Sequence, residues 1–255
     1  MLGLSVPADQ LVIAAMLIFS RMGACLMTMP GMSSARVPMQ VRLFLAIALS
    51  LAVLPLVGPR LQDIAGHADL AGLVLAIMSE LLIGALFGFL AQVFFWAVQF
   101  MANVMAMSMG YSGQPGIGVI ESMPEAPLAN LVVLGALMIF FVTNMHLMLL
   151  RGLIASYDAM PVSFAIRPQA ALIDVVDALS AVFLTGLHIA APFLLYAILV
   201  NFTTGLINKL TPSIPVYFIA MPFVIFGGLV LLFFLLPEML HFFSGELASR
   251  IEGSL

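Results

Sequence analysis

The chain reads as an all-α membrane protein, on two observations. Of 255 residues, 64% are apolar and 8% are charged, with a mean hydropathy of +1.22. Soluble domains are about one quarter charged, and no soluble fold covers this much apolar side chain. The apolar residues also gather in runs long enough to cross a bilayer as helix. The net charge of −4 comes without any basic cluster, which points away from nucleic acid and from a polybasic lipid site. A single cysteine, Cys25, excludes an internal disulfide and a cysteine-based metal cluster within one chain. MLGLSVPADQ lacks a basic n-region, so the first apolar run is expected to stay in the mature protein.

The first span is expected over 11–29, with Arg21 inside it, and Pro30, Gly31 and the polar SSAR break it. A second covers 41–57, ended by Pro55, Gly58 and Pro59, and the connector RLQDIAGHAD follows. Run 70–109 is too long for one crossing: at 1.5 Å per residue it makes about 60 Å of helix, twice a bilayer core. Either two spans turn tightly within 84–92, or one long helix projects beyond the bilayer. Residues 128–150 form the next span, followed by a polar segment to Ala171. Another covers 175–202, with a kink expected at Pro192. The last, 214–236, is interrupted by Pro215 and Pro222, and a short, mildly amphipathic tail ends the chain. Loop charges do not orient these helices: with six crossings Lys and Arg divide almost evenly between the two sides.

No catalytic, cofactor or metal motif is present. HExxH, GxSxG, a Walker lysine loop and CxxC are all missing, and His67, His146, His188 and His241 share no ligand spacing. Other residues carry the argument. Arg21 and Glu80 are the charges set deepest in apolar sequence, where a charge is costly unless it is paired or faces water. They form a structural ion pair, contact another subunit, or line a polar path. Gly84 and Gly88 make a GxxxG strip on which another helix backbone can rest. Met101, Met105 and Met109 stripe one helix face, either as core packing or as a soft, pore-side seal. Pro212, Pro215 and Pro222 are expected to break a helix in three places, as at a transporter's substrate site or in a bend packed on neighbours.

The stretch MGYSGQPGIGVIESMPEAP, 109–127, holds four glycines, three prolines and two glutamates, with no lysine or arginine. It is longer than a simple connector needs to be. Its glycines permit backbone positions closed to other residues, and its prolines keep it out of helix.

Several blocks, in order, resemble the FliR/SctT family, the export-gate subunits of flagellar and virulence type III secretion. FSRMGACLMTMPGMSSARVPMQVRLFLAIALSLAVLP is similar to the family's opening, and SELLIGALFGFLAQ to its Glu-x-x-x-Gly-x-x-x-Gly segment. MGYSG resembles its Met-Gly-hydrophobic-Ser turn, NMHLMLLRGLIASYDAMPVS its histidine block, and LTPSIPVYFIAMPFVIFGG its Pro…Val-Phe…Pro…Gly signature. The family often carries Asp-Pro after the Met-Gly turn, and here Glu121 stands near that place.

The resemblance implies a non-enzymatic subunit of the flagellar export gate, without catalytic residue, cofactor or metal. The virulence system is the alternative within the family, and an independent secondary transporter is the alternative outside it. The implied fold is a set of bent helical hairpins: a FliP-like part over 1–172, including the 110–127 loop, joined to a FliQ-like hairpin and tail over 173–255. One such chain is implied to join five FliP-like and four FliQ-like chains, with an FlhB-like subunit packed on them. Exported unfolded proteins pass through the resulting channel. The implied place is the bacterial inner membrane at the flagellar basal body, with much of the assembly raised above the bilayer plane. The loop is implied to plug the closed channel, with Met109, Gly110, Tyr111, Gly113, Pro115, Ile117 and Glu121 as its residues.

Overall fold

The computed structural model describes residues 7–34, 36–67, 69–110, 116–117, 124–159 and 168–253. Helices α1 (Ala8–Thr28), α2 (Met39–His67) and α3 (Leu70–Ser108) come first. Two strands of two residues each, β1 (Gly116–Ile117) and β2 (Pro124–Glu125), pair antiparallel, Gly116 opposite Glu125 and Ile117 opposite Pro124. Then follow α4 (Pro127–Val142), α5 (Met145–Ala159), α6 (Pro168–Leu210) and α7 (Val216–Gly253). The protein is an all-α membrane protein. Five helices are long and apolar enough to cross a bilayer, or up to six if α4 and α5 together form one broken span.

Local chemistry sets the helix ends. Pro7 precedes α1, whose buried face repeats at helical spacing through Ala14, Leu17, Ile18, Arg21, Met22 and Cys25. Asp69 caps α3: its Oδ1 accepts from the Gly72 N–H at 2.9 Å. Between these ends α3 runs unbroken for 39 residues, which answers the 70–109 question in favour of one long helix. Gly110 stops it in the left-handed region, φ 71°, and its N–H donates to Met107 O at 3.0 Å.

Proline breaks fewer helices than the sequence suggests. α2 continues through Pro55 and Pro59 to His67; Pro192, where the sequence suggests a kink and not a break, lies inside α6. Pro222, expected as a break, lies inside α7. Pro212 and Pro215 fall in one short turn between α6 and α7 and do not mark separate breaks. Each internal proline removes one N–H donor and opens one turn. Packing can hold the helix across that gap. In α2, Val53, Val57 and Leu61 bury one face on either side of the two prolines. The expected span 128–150 is instead divided, because Asn144 takes a left-handed φ of 60° between α4 and α5. Asparagine is among the few residues that tolerate this conformation.

The residues group into two compact units. One contains Met1–Gln92, Asn144–Val176 and Ser249–Leu255, and the other Val93–Thr143 and Asp177–Ala248.

Candidate functional site

In the first unit, α1, α3 and α5 meet at Arg21. Its Nε donates to Glu80 Oε2 at 2.8 Å and its Nη2 to Glu80 Oε1 at 2.7 Å, a two-pronged pair. Nη1 donates to Ser156 Oγ at 2.9 Å, and that hydroxyl donates to Leu153 O at 2.6 Å. The Tyr157 ring lies 3.8 Å from the guanidinium carbon, a cation–π contact. Both charged side chains have 0% exposure. Arginine's planar fork matches a carboxylate and still has a donor left for serine, which a lysine ammonium could not reproduce. An exposed ion pair, Arg60 with Asp158, also links α2 to α5; pairs in water contribute little to stability.

The glycine strip belongs to the same contact. A Cβ on Gly84 would strike the backbone of Arg21, and one on Gly88 would lie 2.5 Å from Cys25 O and crowd the Thr28 hydroxyl. Thr28 Oγ1 stands 3.3 Å from Ala85 O, with Ala24 O of its own helix the nearer acceptor at 3.0 Å, and Ser33 Oγ donates to Gln92 Oε1 at 3.3 Å. Glu80, Gly84, Gly88 and Gln92 therefore form one line of α3, four residues apart, that meets α1 and the turn after it in ascending order. α1 and α3 lie parallel, as a first and a third crossing must. Sequence reasoning found the charges and the glycines separately. The shared four-residue spacing of Glu80, Gly84 and Gly88 was the available signal that they face one helix.

In the second unit, Met101, Met105 and Met109 are 4%, 1% and 1% exposed, packed with Ala129, Val132, Ala190 and Phe193. Gly186 of α6 makes room for Met101, since a Cβ there would lie 2.6 Å from Met101 Cε. Gly228 of α7 does the same for Met109, whose Sδ would lie 2.6 Å from the added Cβ. The methionine face is thus buried in a core within the chain, with Met101 also at the edge of an apolar cleft lined by Phe94, Val98 and Gly186. Tyr196 fastens the α6–α7 pair by donating its hydroxyl to Val224 O at 2.7 Å.

Of the loop residues, Met109 and Gly110 are placed as above, and Ile117 is placed by its strand pairing. Tyr111, Gly113, Pro115 and Glu121 lie outside the described residues. A cleft of about 270 Å³ opens beside Gly110, lined in part by Ser108, Asn201, Thr204 and Tyr217. Among the described residues no three His, Cys, Asp or Glu side chains gather at metal-binding distance.

Comparison with known proteins adds a family. The profile of the bacterial export proteins, family 1, matches residues 12–249. The flagellar biosynthetic protein FliR of Caulobacter vibrioides is 30% identical over 229 residues, covering 88% of each chain. FliR of Escherichia coli K12 is 28% identical over 222 residues, covering 87% of this chain and 84% of its own. The Yop proteins translocation protein T of Yersinia pestis is 29% identical over 215 residues, covering 81% and 79%.

Proposed function

The chain belongs to the bacterial export proteins, family 1, and from that premise we propose that it is a non-enzymatic subunit of the flagellar type III export gate, set in the bacterial inner membrane. Flagellar service is favoured over virulence secretion because FliR proteins recur among the relatives. In this reading one copy joins five FliP-like and four FliQ-like chains, with an FlhB-like subunit on the outside. Residues 1–172 act as the FliP-like part and 173–255 as the FliQ-like part. Unfolded export substrates pass through the channel so formed.

One observation carries the gate reading over an independent transporter. Arg21 and Glu80, the charges a transporter would need along a polar path, neutralise each other at 0% exposure. They serve to hold helices. The α6–α7 pair supports the same reading: Phe202, Phe218, Phe223, Phe226, Phe233 and Phe234 are each 69–75% exposed, an apolar surface that lipid or neighbouring subunits must cover. Native mass spectrometry of the detergent-extracted complex tests the proposal. The expected result is one copy of this chain with several copies of two partners; a monomer or homo-oligomer active in transport would overturn it.

The loop 110–127 is the plug of this gate. Removing residues 113–122 should leave assembly intact, since loops tolerate deletion better than packed helices. The idle channel should then conduct ions. An assembled deletion variant as tight as the parent would refute the plug.

A further inference from the structure

α1 enters the bilayer with a charge that nothing nearby can neutralise. Arg21 lies inside the span Ala8–Thr28. From Gln10 to Gln62 the sequence contains no acidic residue, yet it holds Arg21, Arg36, Arg42 and Arg60. No carboxylate therefore stands at membrane depth in α1 or α2. The carboxylate that meets Arg21 belongs to Glu80, 59 residues later in α3, and the serine that completes the contact is 135 residues later in α5. Chains are made from the N-terminus, so α1 and α2 reach the membrane before Glu80 exists.

We propose that α1 is a conditional membrane span, held in the bilayer only after α3 places Glu80 beside Arg21. Three further observations support this. Half of α1's apolar window is buried inside the chain, against 11–28% for the other four candidate spans. α1 therefore depends most on protein contacts, with α2 as well as α3, and least on lipid. The parallel order of contacts, Arg21 with Glu80 and then Thr28 with Ala85, is the order in which a returning third helix would zip onto the first. The strip at Gly84 and Gly88 leaves no side chain between the two backbones, so α1 can seat fully once the charges meet. The dependence runs one way. An uncompensated arginine at a helix centre disfavours insertion by roughly a hundredfold, which a 21-residue helix feels strongly. α3 has 39 residues and can shift to accommodate a lone Glu80.

The test uses the full-length chain in membranes without partner subunits, so it stands or falls apart from the gate reading. Asp9→Cys and Gln40→Cys are introduced singly on a Cys25→Ala background. Each is labelled with an impermeant maleimide from either side. The two positions label from opposite sides when α1 crosses and from the same side when it does not, whichever way the protein is oriented. Opposite-side labelling is expected for the parent and for Arg21→Leu. Glu80→Ala should move the majority of chains to same-side labelling, and the Arg21→Leu/Glu80→Ala double variant should restore the parental pattern. Pulse-labelling during synthesis reads the side even where Glu80→Ala does not accumulate. Opposite-side labelling in Glu80→Ala at the parental fraction, or a double variant that behaves like Glu80→Ala, would overturn the proposal.

Discussion

Where α1 meets α3, Gly84 and Gly88 face backbone and the Thr28 hydroxyl; where α3 meets α6 and α7, Gly186 and Gly228 face methionine side chains. Both contacts use glycine to bring helices close, but they differ in what can yield. Against backbone, an added methyl has nowhere to go. Against a thioether with three rotatable bonds the neighbour can turn in part, more at Gly186, where Met101 Cε is nearest, than at Gly228, where Met109 Cγ and Cβ stand close. The first contact is further fixed by the Arg21–Glu80 fork, while the second is apolar throughout. The same small residue therefore makes one rigid joint and one adaptable joint in a single chain. A gate subunit has use for both: a fixed frame, and a neighbouring core that repacks at low cost.

Substitutions can break or sharpen this contrast. The largest effect is expected from Gly84→Leu, whose side chain would have to enter the Arg21 backbone; intact complex should not be recovered after detergent extraction. Undiminished yield would show that the two helices separate freely. Glu80→Ala comes next. It strands a buried guanidinium, a change that costs about 3–5 kcal/mol. Arg21→Lys on the parent should also destabilise, because lysine keeps the charge but cannot present two parallel donors to Glu80. Thermal melting of the purified complex distinguishes these outcomes. Ser156→Ala removes a single hydrogen bond to a charged group and should cost about 1.5–3 kcal/mol, lowering the melting temperature without abolishing assembly.

The adaptable joint should respond more mildly. Gly186→Ala meets the Met101 side chain from Cε to Cγ, which must turn to make room, and should cost about 1–3 kcal/mol; Met105→Leu conserves volume and should cost less than about 1.5 kcal/mol. If Gly186→Ala proves as damaging as Gly84→Ala, the distinction between the two joints is void. The smallest effect is expected at Gly205, where an added Cβ meets nothing within 4 Å. Gly205→Ala should stabilise α6 by up to about 1 kcal/mol through helix propensity. A loss there, seen only in the assembled complex, would place a subunit contact at that position.

Much of the candidate site was legible as residues and little of it as geometry. Arg21 and Glu80 stand out because a charge amid apolar residues has few tolerable fates, and pairing is one of them. Gly84 and Gly88 stand out by spacing. That all four belong to one interface did not follow, since Arg21 is 59 or more residues from the other three in the chain. Ser156 and Tyr157 lie in the NMHLMLLRGLIASYDAMPVS block, but nothing in it pointed to Arg21. Proline misled in the other direction. Pro55, Pro59 and Pro222 read as helix breaks, yet all three lie inside helices; around Pro55 and Pro59 the buried face of Val53, Val57 and Leu61 outweighs the missing hydrogen bonds. Thr143–Asn144 looked like unremarkable polar residues within a span and is where the helix divides.

Composition determined that this is a membrane protein, and the length of its apolar runs that it is helical, because a run of about 20 apolar residues satisfies its own backbone in lipid only as helix. The order of short blocks pointed to the export family, since no single block is specific and their succession is. The tertiary structure alone decided which residues meet. It turned two isolated charges into a neutral lock, placed a methionine stripe in the chain's own core, and carried α3 through 39 residues without a turn. Hydropathy and spacing are properties of neighbours along the chain. Pairing between α1, α3 and α5 depends on which helix faces can approach, and that is settled only when the helices pack.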